Sequence, residues 1–465
     1  MSTSQRYDAI VIGAGQAGTP LSKALADAGM HTALVERAHV GGTCVNEGCT
    51  PTKTMVASGR VAYLARRAAD YGVRTGPISI DLVKVRQRKR DIVNSFRNGS
   101  QARIEKTANL ELIFGETSFT ASKTITVRPK EGDERTLSAN HIFINAGTRA
   151  SHPKLDGLDK VSALDNISIM ELDLVPEHLL VLGGGYIGLE FGQLFRRFGS
   201  RVTIVQSANQ LLTREDPDIA EEVVKILRQD GIEIFLNAKA IRVSNSAGSV
   251  RLEIQLPDGP GTLVGSHLLE ATGRVPNSNT LNLAAAGIQT NERGFIQVND
   301  RLETTAGGVY ALGDIKGGPA FTHIAYDDFR ILRANLLEKM SASTKDRQVP
   351  YTLFIDPQLG RIGLTEAEAR AQGRKIRVAK MPMSHVARAL EVDEPRGFMK
   401  AIVDAETNQI LGAAVLGIEG GEVMSVIQIA MLGKLPYTAL RDGTFAHPTL
   451  AESLNNLFTA MDTVQ

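Results

Sequence analysis

The chain has almost no cysteine: two thiols, Cys44 and Cys49, in 465 residues. Only four residues separate them, and a bridge across so short a loop removes little unfolded-chain entropy, which leaves structural stapling a weak reason for the pair. There is no further cysteine pair and no His pair at ligand spacing, so a tetrahedral zinc site has no ligand set, and no residue is assigned to a metal. An excess of one charge is missing as well. Fifty-two Lys and Arg face 51 Asp and Glu, a net charge of +1 that gives no global attraction for nucleic acid or an anionic membrane. No apolar run reaches the roughly 20 residues of a membrane span. Met1 to Asp8 carries no basic region leading into an apolar one. The expectation is a cytoplasmic protein with neither nucleic acid nor membrane as a partner. In reducing surroundings a close thiol pair reads as a redox pair rather than a staple.

At 465 residues, 43% of them hydrophobic, the chain should divide into several domains of roughly 100–200 residues. No low-complexity linker interrupts it, so these should pack closely. Tyr7 to Ile12 is a short apolar run that passes directly into Gly13-Ala14-Gly15-Gln16-Ala17-Gly18. A helical pattern follows from Thr19 to Gly29, then a strand from His31 to Val35 ending on Glu36. Strand, GxGxxG, helix, strand and a carboxylate about 18 residues beyond the last glycine make a dinucleotide fingerprint. Gly13 allows the tight turn, Gly15 the close approach of backbone to pyrophosphate, and Gly18 the packing of helix on strand, while Glu36 can accept from a ribose hydroxyl.

The pattern recurs at Leu179 to Leu182, Gly183-Gly184-Gly185-Tyr186-Ile187-Gly188, a helix to Gly199 and a strand from Arg201 to Val205. Gly183, Gly185 and Gly188 take the fingerprint positions, so the chain should bind two dinucleotides. Its second strand ends on Gln206, where a carboxylate would hold the 2′-hydroxyl of NAD; losing that charge favours NADPH over NADH. Thr124 to Val127 and His141 to Gly147 read as strands closing the first unit, and Leu268 to Asn277, including Gly273, closes the second. Gly308 to Asp314 follows. From Val349 onward strands such as Met399 to Val403 and Ile410 to Val415 mark a separate α+β domain.

In this order the motifs resemble those of the pyridine nucleotide-disulfide oxidoreductases, the flavoprotein family of glutathione reductase, dihydrolipoamide dehydrogenase and mercuric reductase. The resemblance runs over essentially the whole chain and rests on GGTCVNEGCTPTK, GAGQAG, GGGYIG, ATGRVPN, YALGD and the His447-Pro448-Thr449-Leu450-Ala451-Glu452 run. It implies an α/β protein with two Rossmann-like dinucleotide-binding domains, for FAD and NAD(P)H, and a C-terminal α+β dimerisation domain. The expected boundaries are 1–150 for the first part of the FAD domain, 151–275 for the NAD(P)H domain, 276–345 for a central segment returning to the flavin, and 346–465 for the interface domain. Gly42, Thr43, Gly147 and Asp314 join the glycines and Glu36 as expected FAD contacts; Tyr186, Gln206 and Gly273 are expected around the nucleotide.

The resemblance also implies an electron path from NADPH through FAD to the Cys44–Cys49 disulfide and on to a disulfide substrate. Cys49 would be the flavin-proximal thiol and Cys44 the interchange thiol, the pair sitting at a helix N-terminus that lowers thiol pKa values, as Pro51 indicates. Lys53 would lie near the flavin and pair with Glu190. Tyr186 would cover the nicotinamide pocket. His447, oriented by Glu452, would protonate the departing substrate thiolate from the partner subunit of a homodimer. TPTK after Cys49 and Phe321 to Asp328 look most like mercuric reductase, yet the chain has no third cysteine to deliver a soft metal. A small-molecule or protein disulfide is therefore the first expectation for the substrate. A metal-ion reductase acting on Hg(II) or Cu(II), a dihydrolipoamide dehydrogenase and a non-enzymatic redox-sensing flavoprotein are the alternatives. Arg60, Arg66, Arg67 and Arg388 read as solvated arginines, with contact to an acidic disulfide as the other reading.

Overall fold

The computed structural model describes residues 5–246 and 248–463. Contacts divide the chain into two units: Met1–Met55, Val83–Ser151 and Gly273–Arg347 form the first, and Val56–Leu82, His152–Thr272 and Gln348–Gln465 form the second.

The first unit is built on β1 (Gln5–Ile12), α1 (Gly18–Asp27), β2 (Thr32–Glu36), α2 (Gly42–Asn46) and the start of α3 (Cys49–Arg66). It continues with β3 (Leu110–Phe114), β4 (Glu116–Ala121), β5 (Thr124–Arg128) and β6 (Arg135–Ile144). The sheet order is β3-β2-β1-β6-β5-β4, with Val309–Ala311 also pairing with β6. Strands β1, β2, β3 and β6 run parallel, whereas β4, β5 and β6 form an antiparallel run. Parallel strands are covered on both faces, which is why Ala9 to Ile12 form an unbroken apolar run with every residue buried. Helix α1 begins at Gly18, a residue earlier than the pattern indicates, and buries Gly18, Leu21, Ser22, Leu25 and Ala26, one stripe at helical spacing. Strand β6 stops at Ile144. Asn145 to Gly147 leave the sheet, and Gly147 takes a φ of +66°, where glycine is the least strained residue.

The second unit holds a parallel sheet in the order Glu233–Phe235, Arg201–Val205, His178–Leu182, His267–Glu270. This repeats the order of β3-β2-β1-β6, so the two glycine-rich loops leave equivalent strands. The helix Tyr186–Phe198 follows the second loop and ends at Gly199, φ +116°, whose N–H reaches the Phe195 and Arg196 carbonyls. A three-stranded antiparallel sheet, Lys239–Ser246, Ser249–Leu256 and Gly259–Gly265, was not foreseen from sequence. Residues 273–275, read from sequence with the second fold, lie with the first unit, where Arg274–Pro276 pairs antiparallel with Thr148–Ala150. The C-terminal part of the second unit is an antiparallel sheet in the order Tyr351–Leu353, Gln358–Gly363, Ile410–Gly417, Phe398–Asp404, Ile376–Pro382, covered by the helix Gly420–Leu432. Among the described residues no helix is long and apolar enough to cross a membrane.

Candidate active site

The first glycine loop is assembled around Asn145, the residue immediately after β6. Its Oδ1 accepts from the Gly18 N–H at 2.9 Å, and its Nδ2 donates to the Leu312 carbonyl at 2.9 Å. A Cβ on Gly13 would lie 2.3 Å from the Asn145 carbonyl oxygen, one on Gly15 2.9 Å from its Oδ1, and one on Gly313 2.7 Å from its Nδ2. Three glycines, two of them in the fingerprint, are thus required by one buried residue: Gly13 by its main-chain carbonyl, Gly15 and Gly313 by its side-chain amide. Glu36, at the end of β2, accepts from the Ala14 N–H at 2.8 Å and the Ala38 N–H at 2.9 Å. Each carboxylate oxygen keeps a further lone pair for a ribose hydroxyl. The tight loop at the start of α1 and the carboxylate beyond it fit the diphosphate and ribose of FAD. Further along the same unit, Thr148 donates to Asp314 Oδ2 at 3.2 Å. Burial pushes the Asp314 carboxyl up, while Arg274, Thr148 and Lys316 act to lower it.

The cysteine motif is stitched to that loop. The Gly41 N–H donates to the Ala14 carbonyl at 2.8 Å, Gln16 Nε2 donates to the Gly41 carbonyl at 3.0 Å, and a Cβ on Gly42 would sit 2.8 Å from the Gly15 Cα. Gly42 and Thr43 open α2, which carries half-buried Cys44; Cys49 is exposed and opens α3, with Lys53 on the next turn. Only Cys49 therefore stands at the helix N-terminus that sequence assigned to both thiols. Cys44 lies inside its own short helix. Its thiol is pushed up, first by its hydrogen bond with Cys49, then by burial and the charge of Cys49, while Thr322 and Lys53 act to lower it. Thr322, at the start of the helix Thr322–Leu337, brings its Oγ1 to 3.3 Å from Cys49 Sγ. In the sequence Thr322 stands out only as part of the Phe321 to Asp328 run that resembles the family, with no local signal for a contact to Cys49.

In the second unit, Gly183 has φ +106°, and a Cβ there would meet the Ala271 carbonyl oxygen at 2.4 Å. A Cβ on Gly188 would meet the Gly183 carbonyl oxygen at 2.2 Å, whereas one on Gly185 would meet nothing. Gln206 occupies the place of Glu36. Its Oε1 accepts from the Gly184 N–H at 3.1 Å and its Nε2 donates to the Gln210 carbonyl at 3.1 Å. Gly273, φ +131°, belongs to the first unit and accepts there from the Ser151 N–H at 3.0 Å. Tyr186 opens its helix with its ring 5.5 Å from that of Tyr351. Glu190, on the same helix, is buried and accepts from the Phe354 N–H at 2.9 Å; Lys53 belongs to the other unit.

His447 and Glu452 come together as expected of an acid/base pair. Nδ1 of the imidazole lies 3.0 and 2.9 Å from the two carboxylate oxygens. Glu452 is itself held by its N–H donating to Thr449 Oγ1 at 3.2 Å. A carboxylate on Nδ1 fixes the ring and leaves Nε2 to exchange a proton. The imidazole is 68% exposed. Of the four arginines read as solvated, Arg66 and Arg388 are exposed, Arg388 pairing with Glu391 at 3.1 Å and Arg66 donating to the Arg197 carbonyl, while Arg60 and Arg67 are partly buried, Arg60 pairing with Asp356 at 2.6 Å and Arg67 with Asp393. Among the described residues no group of three or more His, Cys, Asp and Glu could hold a metal ion.

Comparison with known proteins agrees with this geometry. A family model described as pyridine nucleotide-disulphide oxidoreductase matches residues 7–328, and one described as the dimerisation domain of that family matches residues 349–458. The chain is 39% identical over 458 residues to the probable pyridine nucleotide-disulfide oxidoreductase RclA of Escherichia coli K12, covering 98% of this chain and 99% of that protein. It is 34% identical over 450 residues to a mercuric reductase of Bacillus cereus, covering 96% of this chain and 70% of the relative. A dihydrolipoyl dehydrogenase of Thermus scotoductus is 32% identical over 452 residues, with 96% of each chain covered. The solved structure of the Cu(II) complex of HOCl-induced flavoprotein disulfide reductase RclA from Escherichia coli superposes with a TM-score of 0.90 at 38% identity, covering 98% of this chain and 99% of the other. The family implies FAD and a pyridine nucleotide as cofactors, and its dimerisation domain a homodimer. The chain is therefore a member of the pyridine nucleotide-disulfide oxidoreductase family, a flavin-dependent enzyme in the company of RclA, mercuric reductase and dihydrolipoyl dehydrogenase.

Proposed function

We propose that this enzyme is an NADPH-dependent disulfide reductase that uses Cys44 and Cys49 as its redox pair. Residues 1–150 and 273–345 would serve FAD, 151–272 NADPH and 346–465 the dimer contact. Gly13, Gly15, Gly18, Glu36, Gly42, Thr43, Gly147 and Asp314 would hold FAD, which when bound supplies a two-electron relay between the nucleotide and the thiols. Gly183, Gly185, Gly188, Gln206, Tyr186 and Gly273 would hold the nucleotide, and Lys53 and Glu190 would support the flavin side. Both ends of the Gln206 amide are already bonded, and no carboxylate stands at that strand end to repel a 2′-phosphate. Such a site favours NADPH.

The observation that carries the disulfide reading is the His447–Glu452 pair, with Nδ1 at 2.9 and 3.0 Å from the carboxylate. An imidazole so oriented can protonate a leaving thiolate and take the proton back. Reduction of a metal ion releases no thiolate and has no use for it. In the dimer His447 would complete the partner's site, on a cytoplasmic protein whose substrate is a small-molecule or protein disulfide. Cys49→Ser should retain FAD and its reduction by NADPH while disulfide turnover is abolished; undiminished turnover would show that electrons do not pass through this pair.

Reduction of Hg(II) or Cu(II) as substrate is a second reading, supported by the similarity to mercuric reductases and by the Cu(II) complex of the RclA structure. In that case the thiol pair alone would meet the metal, and His447 would be dispensable.

A further inference from the structure

Behind Tyr186 lies a buried acid that belongs to no motif. Glu215 has a side chain only 1% exposed, and it accepts a hydrogen bond from the Tyr351 hydroxyl. The Tyr351 ring in turn lies against Tyr186, centroids 5.5 Å apart and planes inclined by 36°. On its other side Glu215 faces Arg361, itself 3% exposed, with Nε 3.5 Å from Oε2. That contact is a charge pair without a hydrogen bond: Glu215 Oε2 and Arg361 Nη2 are both buried with no hydrogen-bond partner. The carboxylate therefore has one good acceptor contact, and it is the one to Tyr351.

We propose that Glu215 and Tyr351 are positioning residues for Tyr186, and that protonation of Glu215 loosens the ring pair over the nicotinamide pocket. The inference rests on the reading of Tyr186 as the cover of that pocket. With Glu215 ionised, the Tyr351 hydroxyl donates to an anion, a stronger hydrogen bond than one to a neutral carboxyl. Tyr351 is then anchored and Tyr186 is held against it in the position seen. Nicotinamide entry requires the Tyr186 ring to move aside. An anchored cover therefore reduces the fraction of binding-competent protein, and a released one restores it.

The surroundings of Glu215 set where the switch operates. Burial pushes its carboxyl up to about 7, opposed by Arg361 and Lys400 and reinforced by Asp216 and Glu368. Tyr186 is also within reach of the Glu215, Arg214 and Arg361 charges, and its own phenol is raised to about 12 by burial, so it stays neutral throughout. Lys400 is shared with Asp216, Asp218 and Glu366, which tie it away from Glu215. As pH falls through about 7 Glu215 gains its proton and the cover is freed; as it rises through that range the cover becomes anchored.

The test is anaerobic rapid mixing of the FAD-loaded dimer with NADPH between pH 6 and 9, reading the second-order rate of flavin reduction. The wild type should slow as pH rises through about 7. Glu215→Gln should remove that step and run about three- to tenfold faster than wild type at pH 8, the release of a modest closing preference. Tyr351→Phe keeps the Glu215–Arg361 pair and the ring but removes the anchor, and should behave like Glu215→Gln. Both variants keeping the wild-type profile, while Tyr186→Ala alters it, would overturn the proposal and leave Tyr186 as the cover. A wild-type rate and profile in Tyr186→Ala would overturn the reading of Tyr186 and the proposal with it.

Discussion

Asn145→Ala should loosen the hold on FAD by removing the amide around which the first glycine loop is built. The side chain makes two hydrogen bonds of 2.9 Å, one from Gly18 at the head of α1 and one to Leu312, in a residue only 8% exposed. Alanine leaves that N–H and that carbonyl buried without partners, at about 1–3 kcal/mol each, so the local cost is about 2–6 kcal/mol. Water entering the space beside Gly13, Gly15 and Gly313 would bring the cost toward the lower figure. If about 2 kcal/mol of it is felt in cofactor binding, the FAD dissociation constant rises about thirtyfold. Asn145→Asp should be worse, since it sets a second acceptor against the Leu312 carbonyl and buries a charge. The assay is flavin release followed by fluorescence, with thermal unfolding of the FAD-loaded protein alongside. Wild-type flavin affinity and melting temperature in Asn145→Ala would refute the view that this amide organises the loop.

Two further predictions concern the second unit. The Asp356 side chain is 8% exposed between Arg60 and Arg197; burial raises its carboxyl, but the two guanidiniums outweigh burial and hold it below its ordinary value. A carboxylate lowered in this way stabilises the folded state above its ordinary range, and the contribution is lost as pH falls toward the depressed value. Asp356→Asn should therefore cost about 3–5 kcal/mol at pH 7, with the gap to wild type narrowing in acid; a gap in melting temperature that does not change with pH would contradict the assignment. On the helix Gly420–Leu432, Ile429 and Leu432 are 67% and 58% exposed and lie on one stripe with Glu422 and Ser425. Ile429→Asp with Leu432→Asp should convert a dimer to monomer in light scattering and abolish disulfide turnover, and an intact dimer would place the contact elsewhere.

The two dinucleotide folds were legible in the sequence because each is a local pattern: an apolar run, glycines at a fixed spacing, an amphipathic helix and a polar residue at the next strand end. The His447–Glu452 contact was legible for the same reason, its partners being five residues apart. The residues that were missed act over long separations. Asn145 meets partners 127 and 167 residues away, and Thr322 meets Cys49 across 273 residues. Neither leaves a periodic signal in its own neighbourhood. The expectation of one helix N-terminus for both thiols failed because four intervening residues are enough to end α2 and start α3. Arg60 and Arg67 were misread because their carboxylate partners, Asp356 and Asp393, lie far along the chain.

The central claim is tested most directly by anaerobic turnover of the FAD-loaded dimer, following oxidation of NADPH and NADH with oxidised glutathione, lipoamide and Hg(II) in turn. The account predicts rapid NADPH-dependent turnover with a disulfide, abolished in Cys49→Ser and strongly reduced in His447→Gln. Rapid turnover with Hg(II) alone, unaffected by His447→Gln, would contradict it and make metal reduction the activity of this enzyme.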